Sequence, residues 1–219
     1  MFYDPRRNLS EHLSTFESGI ERSKSLAHLA SSSTVGGQSI ATDIANSSVV
    51  MAVGSLDLLC KKILRESTLS YLYGLLEPPN KIRLDIPLTV SRLIVDVAKT
   101  SSRDLGVGSD HTLAAAELDK SLRRDNFQGM EAIARLFRDL GFKKPSSFMP
   151  DDIFTPFKES VTELTNQRHE IVHTTAVQFN TYEFAGVDGI FESIVTDEKI
   201  RSLTRGAKYL IGHVESYLI

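Results

Sequence analysis

The sequence predicts an all-α protein, a bundle of helices with room for at most one short hairpin. Apolar residues recur at three- and four-residue steps along most of the chain, which is the spacing of an amphipathic helix. Clusters of Gly, Pro, Ser and Asn interrupt this pattern at 31–37, 77–80 and 106–110, where helices should end. With 219 residues, of which 41% are hydrophobic, we expect a single domain spanning 1–219.

Two helices are predicted in the first third of the chain. Over 8–30, apolar residues alternate with Glu and Arg in a helical pattern, and the Ser- and Gly-rich segment that follows is typical of a flexible loop. We therefore divide the domain into an N-terminal helix with its loop, 1–38, and a core bundle, 39–219. The second helix, 39–65, is apolar on most of its faces, so it should lie at the centre of the bundle.

Five further helices are predicted downstream, each with a signal at one end. Pro87 can begin a helix that continues to about residue 100, and Asp110 can cap a helix that ends near 122. An apolar stripe over 130–140 ends at Gly141, a residue that suits the end of a helix. The remaining elements are a helix capped by Asp151 or Asp152 that runs into 168–173, a short strand or extended loop at 178–184, and a last helix capped by Thr196 or Asp197.

Charge and cysteine content exclude several classes of protein. A net charge of -3 and a pI near 6.1 exclude a histone-like basic protein, so RNA would have to bind to a local patch. The single cysteine, Cys60, provides no disulfide framework, which fits a reducing compartment. No secretory signal is recognisable, and the longest apolar stretch, 49–60, is too short to span a bilayer. We expect a soluble, cytoplasmic protein without a membrane partner.

Two overlapping motifs lie in the segment 168–173, and the first to consider is a zinc motif. His169-Glu170-Ile171-Val172-His173 matches H-E-x-x-H, in which two histidines about 40° apart on a helix bind zinc and the glutamate activates water. A catalytic zinc needs a third protein ligand. The short extension that supplies a third histidine in some zinc peptidases is absent, because Ala176 and Phe179 stand at its Gly and His positions. More distant candidates for this ligand are Glu192, Glu198 and His213.

The second motif, Arg168-x4-His173, suits RNA cleavage without a metal or any other cofactor. In RNA the 2'-hydroxyl is itself the nucleophile, so a histidine that moves a proton and an arginine that neutralises phosphate charge are sufficient. On one straight helix, Arg168 and His173 would lie about 140° apart and would not face the same phosphate. Either the helix ends near Val172, or two chains bring their motifs together across a two-fold axis.

The segment Arg-His-Glu-Ile-Val-His at 168–173 resembles the signature of the HEPN superfamily, an arginine, often a polar neighbour, and a histidine four to six residues later. The apolar run 49–57, ending in Ser-Leu-Asp, and the Thr-Asp-Glu at 196–198 are similar to the RiboL-PSP-type branch of that superfamily. The resemblance implies a bundle of four or five core helices, a homodimer, and a metal-independent endoribonuclease that leaves a cyclic phosphate. It also implies a role in toxin-antitoxin or antiviral defence, with an antitoxin or a defence complex as partner.

By position, the resemblance makes Arg168 the group that stabilises phosphate charge and His173 the group that transfers protons. His169 would support the substrate or the dimer-related site, and Asp57 would orient one of these residues from the core helix. Three alternatives remain open at this stage. The protein could be a noncatalytic HEPN interaction module, or it could be a zinc peptidase. In the third alternative, Arg168 is an ordinary surface residue and Asp57 is an ordinary hydrogen-bonded residue.

Overall fold

The chain forms an all-α bundle in the computed structural model, which describes residues 3–32, 38–83, 108–122, 125–178 and 195–219. No strand occurs within these ranges, and one isolated bridge pairs Leu76 with Leu218. A single turn of 3₁₀-helix spans Pro145–Ser147. The α-helices are α1 (Pro5–Ser32), α2 (Gln38–Leu72), α3 (Gly108–Ser121), α4 (Met130–Asp139), α5 (Asp151–Gln178) and α6 (Asp197–Glu215).

Helices α1 and α2 form a long antiparallel pair. Near one end of the pair Asn8 Nδ2 donates to Glu66 Oε2 over 2.9 Å, and near the other the Ser23 hydroxyl donates to the Ser48 carbonyl oxygen over 2.7 Å. The apolar stripe of α1, including Leu9 and Phe16, is buried in the main core. The N-terminal helix is therefore an integral part of the core and not an addition to it.

The prediction that the second helix is central is confirmed, since α2 packs against all five of the other described helices. It is longer than predicted and continues past Arg65 to Leu72. The polar residues that masked this continuation, among them Glu66 and Thr68, are buried and hydrogen-bonded inside the bundle. Buried polar groups with partners inside the protein leave no apolar stripe in the sequence.

Helices α5 and α6 are also antiparallel, and they approach each other closely. The Lys199 ammonium group lies 2.7 Å from a carboxylate oxygen of Glu163, while one end of the contact brings Gly206 against the ring of Phe157. The predicted cap of the last helix is confirmed, because the Thr196 hydroxyl accepts a hydrogen bond from the backbone N–H of Lys199.

Some sequence-based boundaries are wrong, and others lie outside the described residues. Ser31 and Ser32 belong to α1, and α3 begins at Gly108, so Asp110 is a helical residue and not a cap. The glycine predicted to end α4 is confirmed, since Gly141 has a φ of +80°. Gln178, predicted to begin the extended segment at 178–184, is instead the last residue of α5. The rest of that segment, the rest of the predicted loop at 31–37 and the helix at 87–100 lie outside the described ranges.

Candidate functional site

The motif 168–173 lies on a single continuous helix. Helix α5 extends to Gln178, so the alternative in which it ends near Val172 is wrong. At about 100° per residue, Arg168 and His173 therefore project about 140° apart around the helix axis. Within one chain, these two side chains leave the helix on different faces.

Arg168 is held in place by a residue from another part of the chain. Its Nη1 donates a hydrogen bond to Oε1 of Gln128 over 2.5 Å. One turn earlier on α5, the Thr165 hydroxyl donates to the backbone carbonyl oxygen of Gln128. The guanidinium is half-buried, and these two contacts fix the segment around Gln128 against the helix that carries it.

Asp57, on α2, contacts the backbone of the same segment. Its Oδ1 accepts a hydrogen bond of 2.7 Å from the backbone N–H of Phe127, and its Oδ2 lies 2.8 Å from the ammonium group of Lys61. Because Phe127 and Gln128 are consecutive, the carboxylate of Asp57 is linked to Arg168 through this short stretch of backbone. The link is indirect, because it runs through the backbone between Phe127 and Gln128.

The two histidines of the motif lie together on the exposed side of α5. The rings of His169 and His173 are one helical turn apart, with centroids 4.1 Å from each other and planes inclined by 67°. Both side chains are exposed, and Val172 between them is 48% exposed. Exposed imidazoles can be reached by a large ligand.

A zinc site would need a third ligand close to these histidines. Among the described residues, no group of three His, Cys, Asp or Glu side chains is arranged to hold a metal ion. Of the candidates from the sequence, His213 stacks on the ring of Phe148 with centroids 3.8 Å apart, within an aromatic cluster. Glu198 lies in the first turn of α6 beside Asp152, and Glu192 lies outside the described residues.

Burial lowers the pKa of His213, and the nearby charge of Lys143 lowers it further. Its Nε2 is buried and has no hydrogen-bond partner among the residues that the structure describes. This neutral, stacked ring has the character of a packing residue.

Sequence reasoning missed Gln128. It stands between Phe127 and Gly129 in the connection before α4, and its role depends on contacts with residues about 40 positions away, at Thr165 and Arg168. No local pattern in the sequence encodes such a contact.

Comparisons with known proteins give no match, whether with protein-family models, with curated proteins or with solved structures. None of the helices in the described ranges has an apolar stretch long enough to cross a bilayer.

Proposed function

We propose that this chain is a metal-independent endoribonuclease of the HEPN type, with Arg168, His173 and His169 at its active site. The observation that carries the proposal is the arrangement on α5, in which a half-buried, hydrogen-bonded guanidinium precedes two exposed imidazoles by less than two helical turns. A fixed arginine suits a phosphate whose charge increases during the reaction, because little reorganisation is needed.

In this mechanism the ribose 2'-oxygen attacks the adjacent phosphorus atom and the bond to the 5'-oxygen breaks. One imidazole removes the proton from the 2'-hydroxyl, and a proton is returned to the departing 5'-oxygen. The products are a 2',3'-cyclic phosphate and a 5'-hydroxyl. Arg168 donates hydrogen bonds to the phosphate oxygens that carry the added charge. His173 transfers protons, and His169 supports the substrate or the second proton transfer.

The active form is proposed to be a homodimer. Because Arg168 and His173 diverge on one helix, a phosphate held by the arginine of one chain is best reached by the histidine of the other. A two-fold axis near the exposed Val172 would bring the two copies of α5 together and form two such sites.

We place this activity in the cytoplasm, in a toxin-antitoxin or antiviral defence system, with an antitoxin or a defence complex as partner. The support is the resemblance of 168–173 to the HEPN signature, together with the free, buried thiol of Cys60.

The test is cleavage of total RNA in EDTA by wild type, Arg168→Ala, His173→Ala and a matched control. The exposed His28 of α1 supplies the control His28→Ala. We expect metal-free cleavage by wild type and control, and a loss of rate on the order of a hundredfold or more in the two motif variants. Activity that requires stoichiometric zinc would identify a zinc enzyme. Intact RNA after incubation with a folded dimer would identify a noncatalytic interaction module.

A further inference from the structure

A cavity of about 410 Å³ opens beside the segment that holds Arg168. The two features share consecutive residues, because Phe127 lines the cavity and Gln128 contacts the guanidinium. Consecutive Cα atoms are about 3.8 Å apart, so the cavity and the proposed site are neighbours on one short stretch of backbone. Its volume lies within the range of pockets that hold small organic ligands, which is about 300–1,000 Å³.

Part of the lining of this cavity is apolar, and we call that part the floor. Leu118 of α3, Leu136 of α4 and Phe127 contribute side chains that are all at most 5% exposed. Leu64 of α2 lines the same cavity, so the floor combines α2 with residues of α3 and α4. A buried apolar surface of this kind favours a flat, weakly hydrated ring.

The rim of the cavity carries charges of both signs. Arg83 and Arg135 are exposed cations, and Asp125 and Asp139 are the carboxylates. In the part of the chain that the structure describes, neither arginine forms an ion pair with a carboxylate. Asp139 lies 3.8 Å from the neighbouring Arg138. The rim is held in place by the backbone, since the N–H of Arg83 donates to the carbonyl oxygen of Asp139 over 2.7 Å.

We propose that this cavity binds one nucleotide of the RNA substrate, next to the phosphate that is cut; the identity of the polymer rests on the proposed ribonuclease function. The base lies on the apolar floor, and the guanidinium groups of Arg83 and Arg135 bind a phosphate. Asp125 and Asp139 accept hydrogen bonds from an exocyclic amino group of the base. Uracil has no exocyclic amino group, so uridine is the nucleotide that the cavity disfavours.

The first test uses nucleoside monophosphates and does not depend on RNA cleavage. Binding of GMP, AMP, CMP and UMP to the whole chain is measured by calorimetry or by NMR shifts in metal-free buffer. We expect millimolar or tighter binding, with UMP the weakest. Arg135→Ala should weaken binding about tenfold or more, since it removes hydrogen bonds to a charged group. The control Arg7→Ala removes an exposed arginine of α1 and should have no effect.

Two results would overturn the proposal: no binding of any monophosphate at millimolar concentration, or binding that is the same in wild type and in Arg135→Ala. Preferred binding of UMP would refute the assigned role of the two carboxylates. Asp139→Asn serves as the second variant, because it keeps the shape of the rim. It should reduce the difference in affinity between UMP and the other three monophosphates.

The second test separates this proposal from the proposed function. His173→Ala should abolish RNA cleavage and leave monophosphate binding unchanged, because the exposed His173 does not line the cavity. Monophosphate binding by a wild-type chain that never cuts RNA would refute the ribonuclease and leave a nucleotide site. RNA cleavage whose sequence preference is identical in wild type and Asp139→Asn would refute the cavity as a subsite and leave the ribonuclease, because Asp139 is a group that is proposed to contact the base.

Discussion

Glu66 is a charged residue in the interior of the bundle, only 1% exposed. Its carboxylate accepts hydrogen bonds of 2.9 Å from the Tyr3 hydroxyl and the Asn8 amide, and it forms an ion pair of 2.6 Å with Arg65. Burial by itself would raise the pKa of Glu66, but the hydrogen bonds from His12 and Asn8 and the guanidinium of Arg65 lower it to about 2. This carboxylate ties α1 to α2 in its ionised form.

The lowered pKa predicts how stability depends on pH. The folded value of about 2 lies below the ordinary 4.5, so the stabilisation from Glu66 is complete above pH 4.5 and is lost as the pH falls toward 2. Glu66→Gln should cost about 3 kcal/mol at pH 7, because Arg65 loses a buried partner. In urea unfolding, the difference between wild type and Glu66→Gln should shrink steadily from pH 5 to pH 3.

The matched control for this experiment is Glu11→Gln. Glu11 forms an exposed ion pair with Arg7, in which both side chains are more than half exposed, so its removal should change stability by less than about 1 kcal/mol. A stability difference for Glu66→Gln that does not vary with pH would contradict the assignment of an ionised carboxylate.

At the residue scale, the sequence predicts only what lies close together along the chain. Arg168, His169 and His173 are visible because they fall within six positions. Asp57 was suggested only by a family resemblance, and its hydrogen bond to Phe127 joins residues 70 positions apart. Contacts between residues so far apart in the sequence depend on tertiary packing, which produces no periodic pattern in the sequence.

The contact between α5 and α6 depends on one glycine. A Cβ atom at Gly206 would lie 2.1 Å from a ring atom of Phe157, and that phenylalanine is fully buried. Gly212, on the same helix, has open space where a Cβ would be placed. Substitutions at these two glycines therefore distinguish the effect of packing on stability from the effect of helix propensity within α6.

Gly206→Ala should destabilise the protein by about 1–3 kcal/mol, since the added methyl group would overlap the buried ring of Phe157. Gly212→Ala should instead stabilise it by up to about 1 kcal/mol, because alanine favours the helix and meets no neighbour. Both values can be measured by urea unfolding. Equal effects at the two positions would mean that the close helix contact does not exist.

At the element scale, apolar periodicity predicts the helices well and their ends poorly. Helix α1 was placed within a few residues because its apolar stripe is regular and its opposite face is polar. The predicted end of α2, at Arg65, is too early because polar residues follow it, and the sequence leaves the end of α5 open. In α2 those residues are buried with partners, a situation that only the tertiary structure decides.

For the whole molecule, the continuity of α5 determines how many chains are needed to form one active site. If the catalytic pair is Arg168 and His173, one chain cannot direct both at the same phosphate, so each active site must combine two chains. The sequence left open whether the helix ended early or two copies met, and the length of α5 removes the first of these alternatives. A dimer with composite sites is then the form that the proposed chemistry requires.

Mixed dimers test this directly. A dimer of one Arg168→Ala chain and one His173→Ala chain, isolated with two different affinity tags, has one site without either group and one complete site. It should therefore recover about half of the wild-type rate, although each parent is inactive. If each chain built its own site, both sites of this dimer would be defective and the rate would stay at the level of the parents.

The reciprocal dimer is expected to be inactive, which excludes recovery that comes merely from pairing two different chains. A wild-type chain paired with the double variant Arg168→Ala, His173→Ala leaves each composite site with only one of its two groups, and cleavage should be lost. Sites contained within one chain would instead keep about half of the activity, because the wild-type chain would be complete. Recovery in the first dimer together with loss in the second can be produced only by a phosphate that lies between two copies of α5.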